Sequence, residues 1–144
     1  MLLPLPDYRQ KSDFDCGEAC ARVVSEYHGA RLGRKISTPV DGIDPRVLEQ
    51  ALRLAGFHVQ SGEATLDDLA HWCRTYRPPI ALVRFDGPSH WVVVRGRHGN
   101  RVHFHDPDEG PRSVTVAEWE SAWHASDGRL SQPFRNWCVV AWPG

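Results

Sequence analysis

The order of the hydrophobic patterns along this chain restricts its fold more than any single motif does. Apolar residues recur at helical spacing in three segments of the first half: 16–28, 44–56 and 65–76. Strand patterns dominate the second half of the chain: 80–85, 90–95, 101–105 and 136–142. Because helices come first and strands come later, we predict an α+β domain whose N-terminal helices pack on a mainly antiparallel sheet.

Capping residues mark the predicted helix starts. Asp44 followed by Pro45 is typical of an N-cap and a first helical residue. Thr65 with Asp68 forms a capping box before the third helix. Shorter elements complete the prediction: an extended lead-in at 1–9, strands at 57–59 and 113–116, a loop at 106–110 and a helix after Thr115.

Length and charge restrict the number of domains and the kind of partner. A chain of 144 residues can bury one core, so we predict a single domain, 1–144. A net charge of −1 with scattered arginines gives no reason to expect a nucleic-acid partner. No apolar stretch reaches membrane-spanning length, and the start MLLPLPDYRQ lacks the basic region of a signal peptide. We therefore expect a cytoplasmic location, leaving non-classical export and the oligomeric state open.

The four cysteines are expected to be reduced thiols. Cys16, Cys20, Cys73 and Cys138 form no CxxC pair, which disfavours a zinc knuckle or a thioredoxin-like site. Cys16 and Cys20 lie on one helix face, where their geometry is poor for a disulfide. We expect Cys20, Cys73 and Cys138 to be buried as small hydrophobic residues. No metal or other cofactor is predicted.

The segment QKSDFDCGEAC, residues 10–20, carries the candidate chemistry. Cys16 precedes Gly17 at the start of a helical pattern, where the positive end of the helix dipole favours a thiolate. Gln10, just upstream, has a carboxamide suited to donate a hydrogen bond to a developing oxyanion. Three nearby carboxylates oppose a low thiol pKa and are expected to face solvent or to read substrate charge: Asp13, Asp15 and Glu18.

A nucleophilic thiol also needs a base and a group that orients this base. His90 begins a predicted strand, and Asp106 ends the next one, after a hairpin turn at 98–100. Adjacent antiparallel strands place the start of one beside the end of the next, so we predict that His90 and Asp106 are neighbours. If this strand packs near the first helix, Cys16 meets His90 at the sheet edge while Asp106 holds the ring.

Each of these residues also has a purely structural interpretation. Cys16 taken alone is more simply a buried structural cysteine, and His90 can cap a strand. Asp106 is a turn former before Pro107. The presence of all three together with Gln10 favours the catalytic interpretation.

Two further groups of residues have weaker functional interpretations. His103 and His105 lie on one strand face near Asp106, but two histidines with one carboxylate are weak evidence for a metal site. The tryptophans are expected to pack in the core and at its edge. Trp91, next to His90, is expected to shield the site from solvent.

Three groups of residues occur in a fixed order along most of the chain. They are QKSDFDCGEACARVVSEYHG, then PPIALVRF with SHWVVVRG, and then NRVHFHDPDEG with a following EW. In these residues the chain resembles the bacteriocin-processing cysteine peptidases, a papain-like family that cleaves double-glycine leader peptides. The resemblance implies a papain-like fold, with Cys16 as nucleophile, His90 as general base and then acid, and Asp106 as orienting carboxylate.

The resemblance also implies an oxyanion hole and a reaction. Gln10 and the backbone N–H of Cys16 are implied as oxyanion donors, and we predict that Gly17 and Trp91 lie beside the substrate. The implied reaction is cleavage of a peptide or protein substrate, after small residues such as glycine as in leader processing. Residues 30–43 have no recognisable match and are predicted to form a loop that shapes the substrate groove.

The sequence leaves alternatives to this function. Many family members are N-terminal domains of peptide-exporting ABC transporters, whereas we expect a freestanding domain because no membrane segment or ATPase is present. A module that binds peptides without cutting them is one alternative. Another keeps the fold and chemistry but acts on peptidoglycan cross-bridges or ubiquitin-like tails, or as a transferase.

Overall fold

The computed structural model describes residues 2–11, 15–30, 44–124 and 134–144. Its helices are α1 (Cys16–Tyr27), α2 (Pro45–Leu54), α3 (Leu66–Arg74) and α4 (Val116–His124). Its strands are β1 (Phe57–Glu63), β2 (Ile80–Val83), β3 (His90–His98), β4 (Arg101–Asp106), β5 (Gly110–Thr115) and β6 (Trp137–Pro143). Most of the predicted loop at 30–43 lies outside the described residues. None of the described helices is long and apolar enough to cross a membrane.

The six strands of the described residues join one sheet, in the order β1-β6-β2-β3-β4-β5, and every neighbouring pair is antiparallel. Strands β2 to β5 follow one another directly, as successive neighbours. Strand β6 returns from the end of the chain and inserts between β1 and β2. The predicted antiparallel sheet is therefore confirmed.

Alternating residues of the central strands bury the two faces of the sheet in two separate cores. On one face, Ile80 and Leu82 of β2 pack with α1 and α2. On the other face, Ala81 and Val83 pack with α3 and α4. The N-terminal helices therefore pack on both faces of the sheet, since the buried residues Leu69 and Cys73 of α3 belong to the second core.

The capping predictions are confirmed at both helices. Asp44 accepts a hydrogen bond from the backbone N–H of Arg46 at 2.8 Å, with Pro45 at the first helical position. Thr65 and Asp68 form the reciprocal pair of a capping box, at 2.8 and 3.1 Å. These bonds satisfy backbone donors that a helix start otherwise leaves without partners.

Several strands differ in length from the prediction. β1 continues to Glu63 because it pairs with β6 along its whole length. The predicted loop at 106–110 is only a tight turn, since β5 already begins at Gly110 opposite Asp106. β2 ends at Val83, because the N–H of Arg84 donates to the carbonyl of Ala122 on α4 and so leaves the sheet.

The N-terminal segment, residues 2–10, has no helix or strand but is attached to the sheet. Leu3 is fully buried, and its N–H donates to the carbonyl of Arg95 at 2.9 Å. The N–H of Gln10 donates to the carbonyl of Pro107 at 2.8 Å. The segment therefore delivers Gln10 to the end of β4, where Asp106 lies.

Candidate active site

Cys16 is the first residue of α1, as predicted, and its side chain is 6% exposed. It packs in the core on the α1 side of the sheet, together with Trp91 of β3. The thiol also lies against the backbone N–H of Trp91. Since Trp91 directly follows His90, strand β3 brings the predicted base to the start of α1.

The environment of the thiol differs from the sequence expectation in one respect. Burial raises the pKa of the Cys16 thiol, and the backbone N–H groups of Trp91 and Gly17 oppose this effect without overcoming it. The carboxylate of Asp15 raises the pKa of Cys16 further. The net effect of these surroundings is to raise the pKa of Cys16, which opposes the effect of the helix start alone.

The carboxylates near the thiol also differ from the prediction. Glu18 is 6% exposed and forms an ion pair with Arg22, one helical turn on, at 3.1 Å. The expectation that it faces solvent or reads substrate charge is wrong, because α1 buries it. Asp15 accepts a hydrogen bond from the backbone N–H of Lys11 at 3.0 Å, and Asp13 lies outside the described residues.

His90 and Asp106 are in direct contact, as the hairpin topology predicts. Nε2 of His90 lies 3.3 Å from Oδ2 of Asp106, across sixteen residues of sequence. His90 is the first residue of β3 and Asp106 is the last residue of β4. The side chain of His90 is 25% exposed and that of Asp106 only 2%. The imidazole is therefore the accessible member of the pair, and the carboxylate is buried.

Asp106 is held ionised by several donors. Burial alone would raise its pKa, but the hydrogen bond from His90, the N–H of Asp108 and the guanidinium of Arg112 together lower the pKa to about 2. The N–H of Asp108 donates to Oδ1 at 2.9 Å, and Arg112 donates to Oδ2 at 3.1 Å. At neutral pH the carboxylate is therefore an anion of fixed orientation.

Of the remaining predicted residues, Gln10 lies beside the turn that follows Asp106, through its backbone bond to Pro107. Gly17 is buried in the first turn of α1. Trp91 is 1% exposed, so its indole supports the site from the core, and its contact with substrate stays a prediction. All three residues lie at the end of the sheet that carries His90.

Sequence reasoning missed Arg112. This residue lies on β5 opposite Phe104 of β4, and its guanidinium reaches across to Asp106. The only signal was the placement of an arginine near the start of a possible strand, and that strand was predicted to begin later. The register of β4 with β5, which the sequence does not reveal, decides this contact.

One of the two histidines considered for a metal site has another contact. Nε2 of His105 lies 2.9 Å from the carbonyl of Tyr8, and this imidazole is 1% exposed. His105 thus attaches the N-terminal segment to β4. Within the described ranges, no group of three or more His, Cys, Asp or Glu side chains is placed to hold a metal ion.

The four cysteines are free in the structure, and all are buried. Cys20 is fully buried, while Cys73 and Cys138 are 3% and 4% exposed, as predicted. Burial raises the pKa of both Cys73 and Cys138 to about 12. These two thiols are therefore neutral and shielded, and they serve as packing residues.

The Asp106 carboxylate predicts a loss of stability in acid. Its pKa of about 2 in the folded protein lies below the ordinary value of 3.8, so ionisation stabilises the fold. This contribution, about 2 kcal/mol, is fully present above the unfolded pKa and is lost as the pH falls towards the folded pKa. Urea unfolding at a series of pH values measures this contribution. In Asp106→Asn, the free energy of unfolding should depend less steeply on pH in the acid range. An identical acid slope in both proteins would contradict the prediction.

The comparison with known families decides the class of the protein. The family model of the peptidase C39 family matches residues 6–126. This chain belongs to the peptidase C39 family. It is a cysteine peptidase, and the resemblance seen in the sequence is confirmed. No curated protein matches the chain at a significant level.

Solved structures of similar proteins confirm the papain-like fold of this C39 peptidase. A double glycine motif protease from an AMS/PCAT transporter, crystallised with the leader peptide, has a TM-score of 0.79 at 18% identity and covers 99% of this chain and 94% of its own. The peptidase domain of Streptococcus ComA, a bi-functional ABC transporter of a quorum-sensing pathway, has a TM-score of 0.76 at 21% identity. There the coverage is 99% of both chains. The Streptococcus mutans ComA peptidase domain has a TM-score of 0.67 at 21% identity and covers 94% of this chain and 98% of its own.

Proposed function

We propose that this C39 peptidase is an endopeptidase that cleaves leader peptides after a pair of glycines, with Cys16 as its nucleophile. The observation that carries the proposal is the 3.3 Å contact between His90 and Asp106, together with a thiol, at the start of α1, that lies against the backbone N–H of Trp91, the residue after His90. A thiol, an imidazole and an orienting carboxylate are the set that cysteine peptidases need. Here each comes from a separate element that the core holds in place.

In the proposed reaction, Asp106 fixes the tautomer of His90. Its carboxylate accepts the proton on Nε2, so Nδ1 is the basic nitrogen that faces the sulfur. Because burial raises the pKa of Cys16, the thiol gives its proton to His90 only as the sulfur attacks the scissile carbonyl. The resulting imidazolium is stabilised by the ionised Asp106, whose pKa stays at about 2.

The later steps use the same groups. The side-chain amide of Gln10 and the backbone N–H of Cys16 donate hydrogen bonds to the oxyanion of the tetrahedral intermediate. His90 then gives its proton to the leaving amine, and the C–N bond breaks to leave a thioester on Cys16. Water, deprotonated by His90, hydrolyses this thioester and restores the thiol.

The burial of Cys16 favours small residues at the cut. Only 6% of this residue is exposed, so a bulky side chain beside the scissile carbonyl would hinder the approach to the sulfur. A glycine, which has no side chain, meets the least hindrance. The leader peptide bound to the similar double glycine motif protease supports the same substrate class for this chain.

Paired peptides test this function. We expect the protein to cleave a leader-like peptide immediately after two consecutive glycines, and a peptide with valines at both positions to react about a hundredfold more slowly. Liquid chromatography with mass spectrometry identifies the cut. Binding of the peptide without cleavage would favour the peptide-binding module instead, and release of muropeptides from cell walls would favour a peptidoglycan substrate.

A further inference from the structure

The Asp106 carboxylate is shared between His90 and a second cation. Its Oδ2 atom lies 3.3 Å from Nε2 of His90 and 3.1 Å from Nη1 of Arg112. Its Oδ1 atom accepts the N–H of Asp108 at 2.9 Å. Both oxygens are therefore engaged, and one of them serves two cationic or potentially cationic groups at once.

Arg112 is itself held in place by its surroundings. The guanidinium carbon lies 5.0 Å from the ring centre of Phe85 and 5.4 Å from that of Phe104. These two rings stack on each other, with centres 5.6 Å apart and planes within 9°. Glu109, just before β5, contacts the guanidinium at 3.3 Å. An arginine held by aromatic faces and a carboxylate presents its N–H groups in a fixed direction.

We propose that Arg112 is a positioning residue of the peptidase site, and this inference rests on the proposed function of the His90–Asp106 pair. Arg112 holds the Asp106 carboxylate in the orientation in which Oδ2 faces His90.

The loss of Arg112 acts on the orientation of Asp106. A carboxylate that has lost one charge-assisted hydrogen bond can turn away from His90, which lowers kcat without changing substrate binding. The same turn leaves the imidazole without a fixed partner, so His90 accepts the proton of Cys16 less readily when the thiol reacts.

The test compares Arg112→Gln with the natural protein by two readouts. For a double-glycine peptide, we expect kcat to fall about tenfold with an unchanged KM. The second readout needs no substrate: the rate of Cys16 alkylation by iodoacetamide at neutral pH, followed by peptide mass spectrometry. We expect this rate to fall by about tenfold, because a displaced His90 removes the thiol proton less readily. Wild-type kcat together with an unchanged alkylation rate would overturn the proposal.

Two further variants control for structural effects. Arg101→Gln removes an arginine from the opposite end of β4, where it donates to Ser113 at 2.9 Å, and should leave both readouts unchanged. Arg112→Lys keeps the charge but not the planar fork, so it should lower both kcat and the alkylation rate, but less than Arg112→Gln does. If Arg112→Gln does not fold, Arg112→Lys decides: a wild-type kcat in that variant overturns the proposal.

The two readouts also separate this inference from the proposed function. A lower alkylation rate in Arg112→Gln, in a protein that cleaves no peptide, would support the role of Arg112 and contradict the endopeptidase. Full kcat for the double-glycine peptide and an unchanged alkylation rate in Arg112→Gln would support the endopeptidase and contradict the role of Arg112.

Discussion

Cys16→Ala is expected to lower kcat/KM for a double-glycine peptide by a factor on the order of 10⁶. The nucleophile forms the bond that defines the covalent route, and no neighbouring group replaces it. The oxyanion donors and the binding surface remain, so the residual rate should exceed that in water. Steady-state cleavage followed by mass spectrometry measures the loss.

Cys20→Ala is the matched control for this variant. Cys20 lies one turn further along α1 and is fully buried, so its removal changes the core but not the chemistry. It should retain cleavage and the labelling of Cys16 by iodoacetamide, whereas Cys16→Ala should lose labelling of the most reactive thiol. Persistence of that labelling at another cysteine in Cys16→Ala would assign the nucleophile elsewhere.

Asp106→Ala is expected to lower kcat/KM by about 10⁴-fold. Without the carboxylate, nothing fixes the tautomer of His90 or stabilises its protonated form. Asp106→Asn keeps the shape and one oxygen that can accept the Nε2 proton, but it loses the charge, so its comparison with the alanine variant separates the two contributions of Asp106. Equal losses in the two variants would show that charge, rather than orientation, is the contribution of Asp106. Wild-type activity in Asp106→Ala would remove the residue from the mechanism.

Local signals in the sequence were sufficient for most elements of the fold. Capping depends on residues within one helical turn, so Asp44 and the Thr65–Asp68 box could be predicted from a few positions. The contact between His90 and Asp106 was also predictable, because both residues belong to one hairpin whose turn fixes which ends meet.

Long-range features were not predictable from local patterns. The insertion of β6 between β1 and β2 joins segments far apart in the chain, and no turn sets their register. The placement of α3 on the face opposite α1 has the same origin. β2 is apolar on both sides, so its pattern does not say which helix covers which face.

The electrostatics of the candidate site depended on packing in the same way. The helix start at Cys16 favours a thiolate, yet the net effect of its surroundings is a raised pKa because burial is larger. Arg112 reaches Asp106 only through the register of β4 and β5 and through the two rings that hold its guanidinium. Both effects combine contributions from several helices and strands, so they are set only when these elements pack together.

The most direct test of the central claim is to trap the covalent intermediate. Protein mixed with a double-glycine peptide is quenched in acid within the first turnover and digested for mass spectrometry. We predict a thioester that joins the leader fragment, through its last glycine, to Cys16. Turnover without any such adduct, or an adduct on Cys20, Cys73 or Cys138, would contradict it.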